Sequence, residues 1–281
     1  MMVIISVCKR DLEPHSLLSL DGARALLLIF ITKQTRIQSC FFKKLWQNDA
    51  EMRIDAILSR FGYCSRREAA QWVKRGRVTV KGVVVKSASA KAELADVLVN
   101  GEPIEFPDGL YVALNKPLGC TCSHKEEGEL VYDLLPPQWL NRGDGVSTVG
   151  RLDKETDGLL LVTDDGAFVH ALTSPKRHVP KVYEFDCSAP IPGSAVALFA
   201  SGELVLHGEN TPCLPAELVI TGECSGRLTL HEGRYHQVRR MLAAVGAPVV
   251  RLTRTAIGPL QLADLQLEPG EWAAIDPAIF A

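Results

Sequence analysis

The chain has no CxxC pair, no glycine-rich phosphate loop, no dinucleotide-binding fingerprint and no strong excess of one charge. Its eight cysteines are scattered at positions 8, 40, 64, 120, 122, 187, 213 and 224. Cys120 and Cys122 are the closest pair, and no second pair completes a zinc site. Free thiols in a reducing cytoplasm, with no metal, are the expectation. The missing loop and fingerprint argue against nucleotide-driven or hydride-transfer chemistry. With 31 basic and 33 acidic residues the net charge is −2, so nucleic-acid binding would have to rest on a local basic patch. The apolar stretch Ala23–Ile31 falls short of the ~20 residues that span a bilayer. It also makes a poor secretion signal. Asp11 and Glu13 dilute the basic segment before it, and Thr32-Lys33-Gln34 stands where small residues would mark cleavage. No membrane association is expected.

What remains is a globular composition, 47% hydrophobic and 23% charged, long enough for one large domain and one small one. Residues 1–51 differ in texture from the rest, and Met52 reads as a domain start. We expect translation to begin at Met52, with upstream sequence before it. The alternative is a genuine extension, poorly ordered or packed as a stray helix.

From Met52 to about residue 107 the pattern is that of a small basic module. Ile54, Ile57, Leu58 and Phe61 fall at i, i+3, i+4 and i+7, the apolar face of a helix that Gly62 stops. Ser65 with Glu68 forms a capping box for a second helix with Ala69, Trp72 and Val73 inward and Gly76 at its end. Lys81-Gly82 and Asn100-Gly101 mark tight turns beside valine-rich strands. Eight basic residues lie between Met52 and Lys81, opposed only by Asp55 and Glu68. Arg66, Arg67, Lys74, Arg75 and Arg77 cluster around the second helix, where they could track phosphates.

The remainder, residues 108–281, is organised around Val149–Gly166. Gly150 and Asp157-Gly158 are turn signals, Leu159–Thr163 reads as a short buried strand, and Asp164-Asp165-Gly166 closes it. Asp153 therefore sits on a loop anchored in a core strand, where catalytic groups often lie. From spacing alone, a surface ion pair with Arg151 reads equally well. Leu110–Pro117 reads as a strand ended by a proline turn, Phe168–Leu172 as a short helix, and Thr173–Pro180 as a basic loop before a strand at Val182–Phe185. Val238, Met241 and Leu242 define a helix face, with Arg239 and Arg240 on other faces, and Val249–Leu252 is a strand. His236 reads as a structural hydrogen-bonding residue.

Gly150-Arg151-Leu152-Asp153, Thr156 and Gly158-Leu159-Leu160 resemble the catalytic motif of RNA pseudouridine synthases, most closely those that modify single uridines in ribosomal RNA. Asn115-Lys116-Pro117-x-Gly119, Lys181-x-Tyr183 and Gly233–Leu242 are similar to that family's other motifs, as are Arg254, Ile257-Gly258 and Gly270-Glu271-Trp272. Residues 52–107 resemble the S4 RNA-binding domain. The resemblance runs from Met52 to about Trp272. It implies an α+β chain, with an S4-type domain at 52–107 followed at 108–281 by a catalytic domain. That domain would have a mixed, mainly antiparallel sheet flanked by helices and a central cleft.

The resemblance further implies roles. Asp153 would be the catalytic carboxylate, acting as nucleophile or as base at C2′. Tyr183 would pack on the target base, and Arg239 would pair with Asp153 and hold it ionised. Lys116 would be an ion-pair partner or a phosphate contact, and Arg240 a phosphate or solvent residue. Arg151, Lys176, Arg177, Lys181 and Arg234 complete the expected RNA contacts. The reaction is redox-neutral, so no cofactor is expected. Leu172–His178 and Glu232–Val238 look most like the small-subunit group. The expected substrate is therefore one uridine of 16S rRNA, read on a partly assembled small ribosomal subunit by a cytoplasmic monomer. Two alternatives stand beside it, a synthase acting on 23S rRNA and a non-catalytic S4-type assembly protein. The joint presence of Asp153, Tyr183 and Arg239 favours the enzyme.

Overall fold

The computed structural model describes residues 51–123 and 128–281. The expectations for residues 1–51 therefore fall, Glu51 apart, outside the described residues. The chain divides into two compact units, one holding Cys64–Asp108 with the helix before it and the other Gly109–Ala281.

In the first unit, β1 (Met52–Arg53) leads into α1 (Ile54–Arg60) and, after the Ser65 turn, α2 (Ala69–Lys74). The apolar periodicity decides the packing: Ile54, Ile57, Leu58, Ala69 and Val73 are all buried. The capping box forms reciprocally, with Ser65 N donating to Glu68 Oε2 at 2.9 Å and Glu68 N donating to Ser65 Oγ at 3.3 Å. Strands β2 (Val78–Val80), β3 (Val83–Val84), β4 (Lys91–Ala92), β5 (Val97–Val99) and β6 (Glu102–Pro103) follow, and β3-β2-β5-β6 form a small sheet. Its tight turns have left-handed backbone at Lys81-Gly82 and Asn100-Gly101, as the dipeptides require.

The second unit is built on a sheet of nine strands among the described residues. In chain order its elements are β7 (Tyr111–Lys116), β8 (Ser147–Thr148), β9 (Asp157–Thr163), α3 (Gly166–Thr173), β10 (Lys181–Cys187), α4 (Ser194–Ser201), β11 (Glu217–Ile220), β12 (Ser225–Leu230), α5 (Gln237–Ala244), β13 (Val249–Ile257), β14 (Leu260–Gln261), α6 (Leu262–Leu265) and β15 (Trp272–Ala274). The order across the sheet is β11-β12-β10-β13-β9-β7-β15. Every pairing is antiparallel except β13 with β9, so the sheet is mixed and mainly antiparallel. Two apolar clusters flank that parallel junction. One joins β7 and β9 to α3 through Ala113, Leu159, Leu161, Phe168 and Leu172. The other joins β10, β12 and β13 to α4 and α5 through Phe185, Phe199, Leu228, Met241 and Leu252.

Asp157-Gly158 is not a turn. Both residues lie in β9, and Gly158 is demanded by the sheet: its φ is +101°, and a Cβ there would stand 2.3 Å from the Arg254 carbonyl oxygen. This close approach lets β9 pair with β13 and brings the Asp153 loop to the middle of the sheet. Asp164-Asp165-Gly166 is a helix start as well as a turn, since Asp165 Oδ1 caps α3 by accepting from Ala167 N at 2.8 Å and Phe168 N at 3.2 Å.

Candidate active site

Asp153 lies on the segment between Val149, whose N–H bonds to Leu161 O, and the start of β9. Four consecutive carbonyls of this segment are each taken by a fixed donor. Lys116 Nζ donates to Asp153 O at 3.1 Å and Thr156 O at 2.8 Å. Gly119 N donates to Lys154 O at 2.9 Å, and Arg239 Nη2 to Glu155 O at 2.8 Å. Leu152 is buried beneath the segment. The backbone is therefore held on every side while the Asp153 side chain, 32% exposed, reaches into a cleft.

The cleft has a volume of about 420 Å³ and is walled by Arg151–Asp153, Lys181, Tyr183, Tyr235, His236 and Arg254. Its two sides come from the two apolar clusters: the Asp153 segment from the β7–β9 side, Tyr183 and the turn before α5 from the other. Tyr183 is half-buried on β10, with part of its ring packed on the second cluster. His236 Nε2 stands 3.3 Å from Asp153 Oδ1. His236 has left-handed backbone, φ 47°, at the N-terminal boundary of α5, a conformation uncommon for a residue with a side chain. Arg254 is 2% exposed; its Nε donates to Leu159 O at 2.8 Å, and its Nη2 has no hydrogen-bond partner among the described residues. Burial, with the Arg254 charge beside it, lowers the Lys181 ammonium pKa to about 8.

Several expectations need correction. Lys116 is placed in neither expected role, facing no solvent and bonded to no carboxylate among the described residues. It is 0% exposed and spends its three donor positions on the carbonyls of Pro117, Asp153 and Thr156. Burial lowers its pKa, and the neighbouring thiols Cys122 and Cys120 and the carboxylates Asp157 and Asp153 act in the opposite sense. Arg239 does not pair with Asp153. Its guanidinium bonds Glu155 O and, at 3.3 Å, Val249 O, so it clamps the segment from outside the cleft. His236, read from the sequence as structural, instead places an ionisable side chain against Asp153. Arg234 and Arg240 are not free for phosphate either. Both bond Glu209, whose carboxyl they hold below its usual range. Arg234 also bonds Glu232 and the carbonyls of Thr211 and Pro212, and Arg240 bonds the carbonyls of Tyr235 and His207. Arg77 lies 3.4 Å over the Trp72 ring and donates to Asn100 at 2.7 Å, so it braces the small unit. Arg66, Arg67, Lys74 and Arg75, and Arg151, Lys176 and Arg177 in the larger unit, are exposed.

Lys116 had one sequence signal: it ends a strand whose residues before it are apolar almost throughout, the setting of a buried lysine. His236 and Arg254 had none beyond motif membership, because their places depend on strands and turns far apart in the chain.

The match with known proteins follows this geometry. Residues 110–198 match the family model described as RNA pseudouridylate synthase, and residues 52–98 match the S4 domain. The chain belongs to the RNA pseudouridine synthase family. Among its relatives are the ribosomal small subunit pseudouridine synthases A of Vibrio cholerae, 41% identical over 79% of this chain and 94% of the relative, and of Escherichia coli K12, 39% identical over 79% and 95%. The uncharacterized RNA pseudouridine synthase YtzG of Bacillus subtilis is 37% identical over 79% and 93%. A crystal structure of a pseudouridylate synthase shares 35% identity with a TM-score of 0.56, over 81% of this chain and 97% of that one.

Proposed function

We propose that this protein converts one uridine of 16S ribosomal RNA to pseudouridine, with Asp153 as the catalytic carboxylate. The observation that carries the reading is the Asp153 carboxylate itself, held at a cleft that Tyr183 also lines by a backbone whose carbonyls from Asp153 to Thr156 are all bonded. The relatives named for the small ribosomal subunit supply the choice of RNA.

The reaction breaks the N1–C1′ bond, turns the uracil and forms a C5–C1′ bond. The C5 proton leaves and N1 gains one, so composition and oxidation state are unchanged. The target must first leave the base stack. Tyr183 offers its ring as the uracil's support inside the cleft. Asp153 supplies a carboxylate beside C1′ and C2′, and His236 lies where it can orient that carboxylate. Lys181, charged below about pH 8, and the exposed Arg151, Lys176 and Arg177 offer phosphate contacts near the cleft. In the small unit Arg66, Arg67, Lys74 and Arg75 offer further contacts. The S4 unit has little means of reading sequence, which fits a substrate recognised by shape on a partly assembled small subunit. The enzyme would act there in the cytoplasm as a monomer. Among the described residues no helix is long and apolar enough to cross a membrane.

Mapping pseudouridine in 16S and 23S rRNA from a strain lacking the gene tests the reading. One 16S site is expected to disappear and to return with the wild-type gene but not with Asp153→Asn, which keeps the side chain's size and loses its charge. Loss of a 23S site instead, or restoration by Asp153→Asn, would overturn it.

A further inference from the structure

The segment before and into α5 contains one residue whose position the catalytic reading leaves unexplained. From Arg234 to Leu242 every side chain is buried or half-buried except Tyr235, which is 75% exposed. Its neighbours are committed inward: Arg234 and Arg240 to Glu209, Gln237 to Glu232, and Val238, Met241 and Leu242 to the core. The Tyr235 backbone is fixed as well, since its carbonyl accepts from Arg240 Nη1 at 3.1 Å. An aromatic ring left in water forgoes its largest packing gain, and here it does so on the wall of the catalytic cleft. One face of the ring is used, stacked on the His236 imidazole at a centroid distance of 3.9 Å and an interplanar angle of 15°. With that face covered, the exposure belongs mainly to the other face. His236 in turn lies 3.3 Å from the Asp153 carboxylate.

We propose that Tyr235 is a stacking platform for an unpaired base flanking the target nucleotide, completing a base–Tyr235–His236 stack that ends on Asp153. The chemistry that fits an open ring face at the edge of a cleft with basic residues along it is the π-face of a nucleobase. Tyr183, inside the cleft, is placed for the target uracil; Tyr235, at its exposed edge, is placed for the next base along the strand. This inference rests on the RNA-modifying reading above.

The test uses full-length protein and partly assembled small ribosomal subunits from the strain lacking the gene. Tyr235→Leu, which keeps apolar bulk without a π-face, is expected to lower kcat/KM by roughly fivefold to a hundredfold, mainly through KM. Tyr235→Phe and Tyr235→Trp should restore most of it. Under RNA titration Tyr235→Trp should also show quenching of indole fluorescence beyond that of the wild type. A Tyr235→Leu enzyme within twofold of wild type, a loss confined to kcat, or no added quenching in Tyr235→Trp would overturn the platform while leaving the enzyme assignment standing. If the wild-type protein converts no uridine in those subunits, the enzyme assignment fails and the platform falls with it.

Discussion

Replacing Lys116 by methionine separates a positioning role from an RNA contact. The side chain is 0% exposed and its ammonium holds the carbonyls of Pro117, Asp153 and Thr156 at 3.1, 3.1 and 2.8 Å. Methionine fills similar space and donates nothing. Hydrogen bonds to a charged group contribute about 1.5–3 kcal/mol each, and a stranded buried carbonyl costs about 1–3 kcal/mol. The Asp153 side chain is 32% exposed, so water can serve part of the loss, and removing a buried ammonium also relieves its desolvation cost. We expect a net destabilisation of about 2–4 kcal/mol, or a fall in Tm of roughly 4–16 °C. Assayed well below that Tm, the variant should lose about a hundredfold in kcat, the cost of displacing a catalytic group by about 1 Å. RNA affinity and its salt dependence should not change, because the ammonium cannot reach a phosphate. An unchanged kcat in a folded variant would refute the positioning argument. A salt slope lowered by about 0.7 would restore the phosphate-contact reading.

Three further outcomes are expected. Gly158→Ala places a Cβ 2.3 Å from the Arg254 carbonyl at a φ of +101°, so it should cost about 2–5 kcal/mol in thermal or denaturant melts. A change under about 0.5 kcal/mol would show that β9 and β13 need no such approach. Lys181 has its pKa lowered to about 8, so its charge is present at pH 7 and lost as pH rises through that value. If it contacts phosphate, kcat/KM should fall above pH 8 and Lys181→Arg should carry the fall to higher pH, since arginine stays charged; a profile unmoved by the substitution would remove Lys181 from RNA binding. Changing Arg66, Arg67 and Arg75 together to Ala should flatten the salt dependence of binding by up to roughly two units at about 0.7 per single-stranded phosphate, and an unaltered slope would place the RNA elsewhere.

Much of the fold was legible because local rules agreed with one another. The i, i+3, i+4 stripes of Ile54–Phe61 and Val238–Leu242 gave helices with those faces buried, and Lys81-Gly82 and Asn100-Gly101 gave the turns their backbone preference demands. Asp157-Gly158 misled, because a glycine needed for close strand approach carries the same letters as one needed for a turn. Asp153 and Tyr183, read from separate motifs, do meet in one cleft.

Sequence by itself determined the family, the S4 and synthase modules, the elements that carry the motifs and a carboxylate and a tyrosine that line one cleft. Those features depend on residue type and short spacing. What each cation does was decided only by tertiary structure. Lys116, Arg239, Arg234 and Arg240 are all basic and all in motifs, and on spacing alone each suits a phosphate or a carboxylate. The folded chain gives the first two to backbone carbonyls of the Asp153 segment and the last two to Glu209, while it sets His236 against Asp153 and leaves Tyr235 open. A long cationic side chain takes whichever acceptor lies within its reach once it leaves water, and that acceptor is fixed by strands and turns from distant parts of the chain.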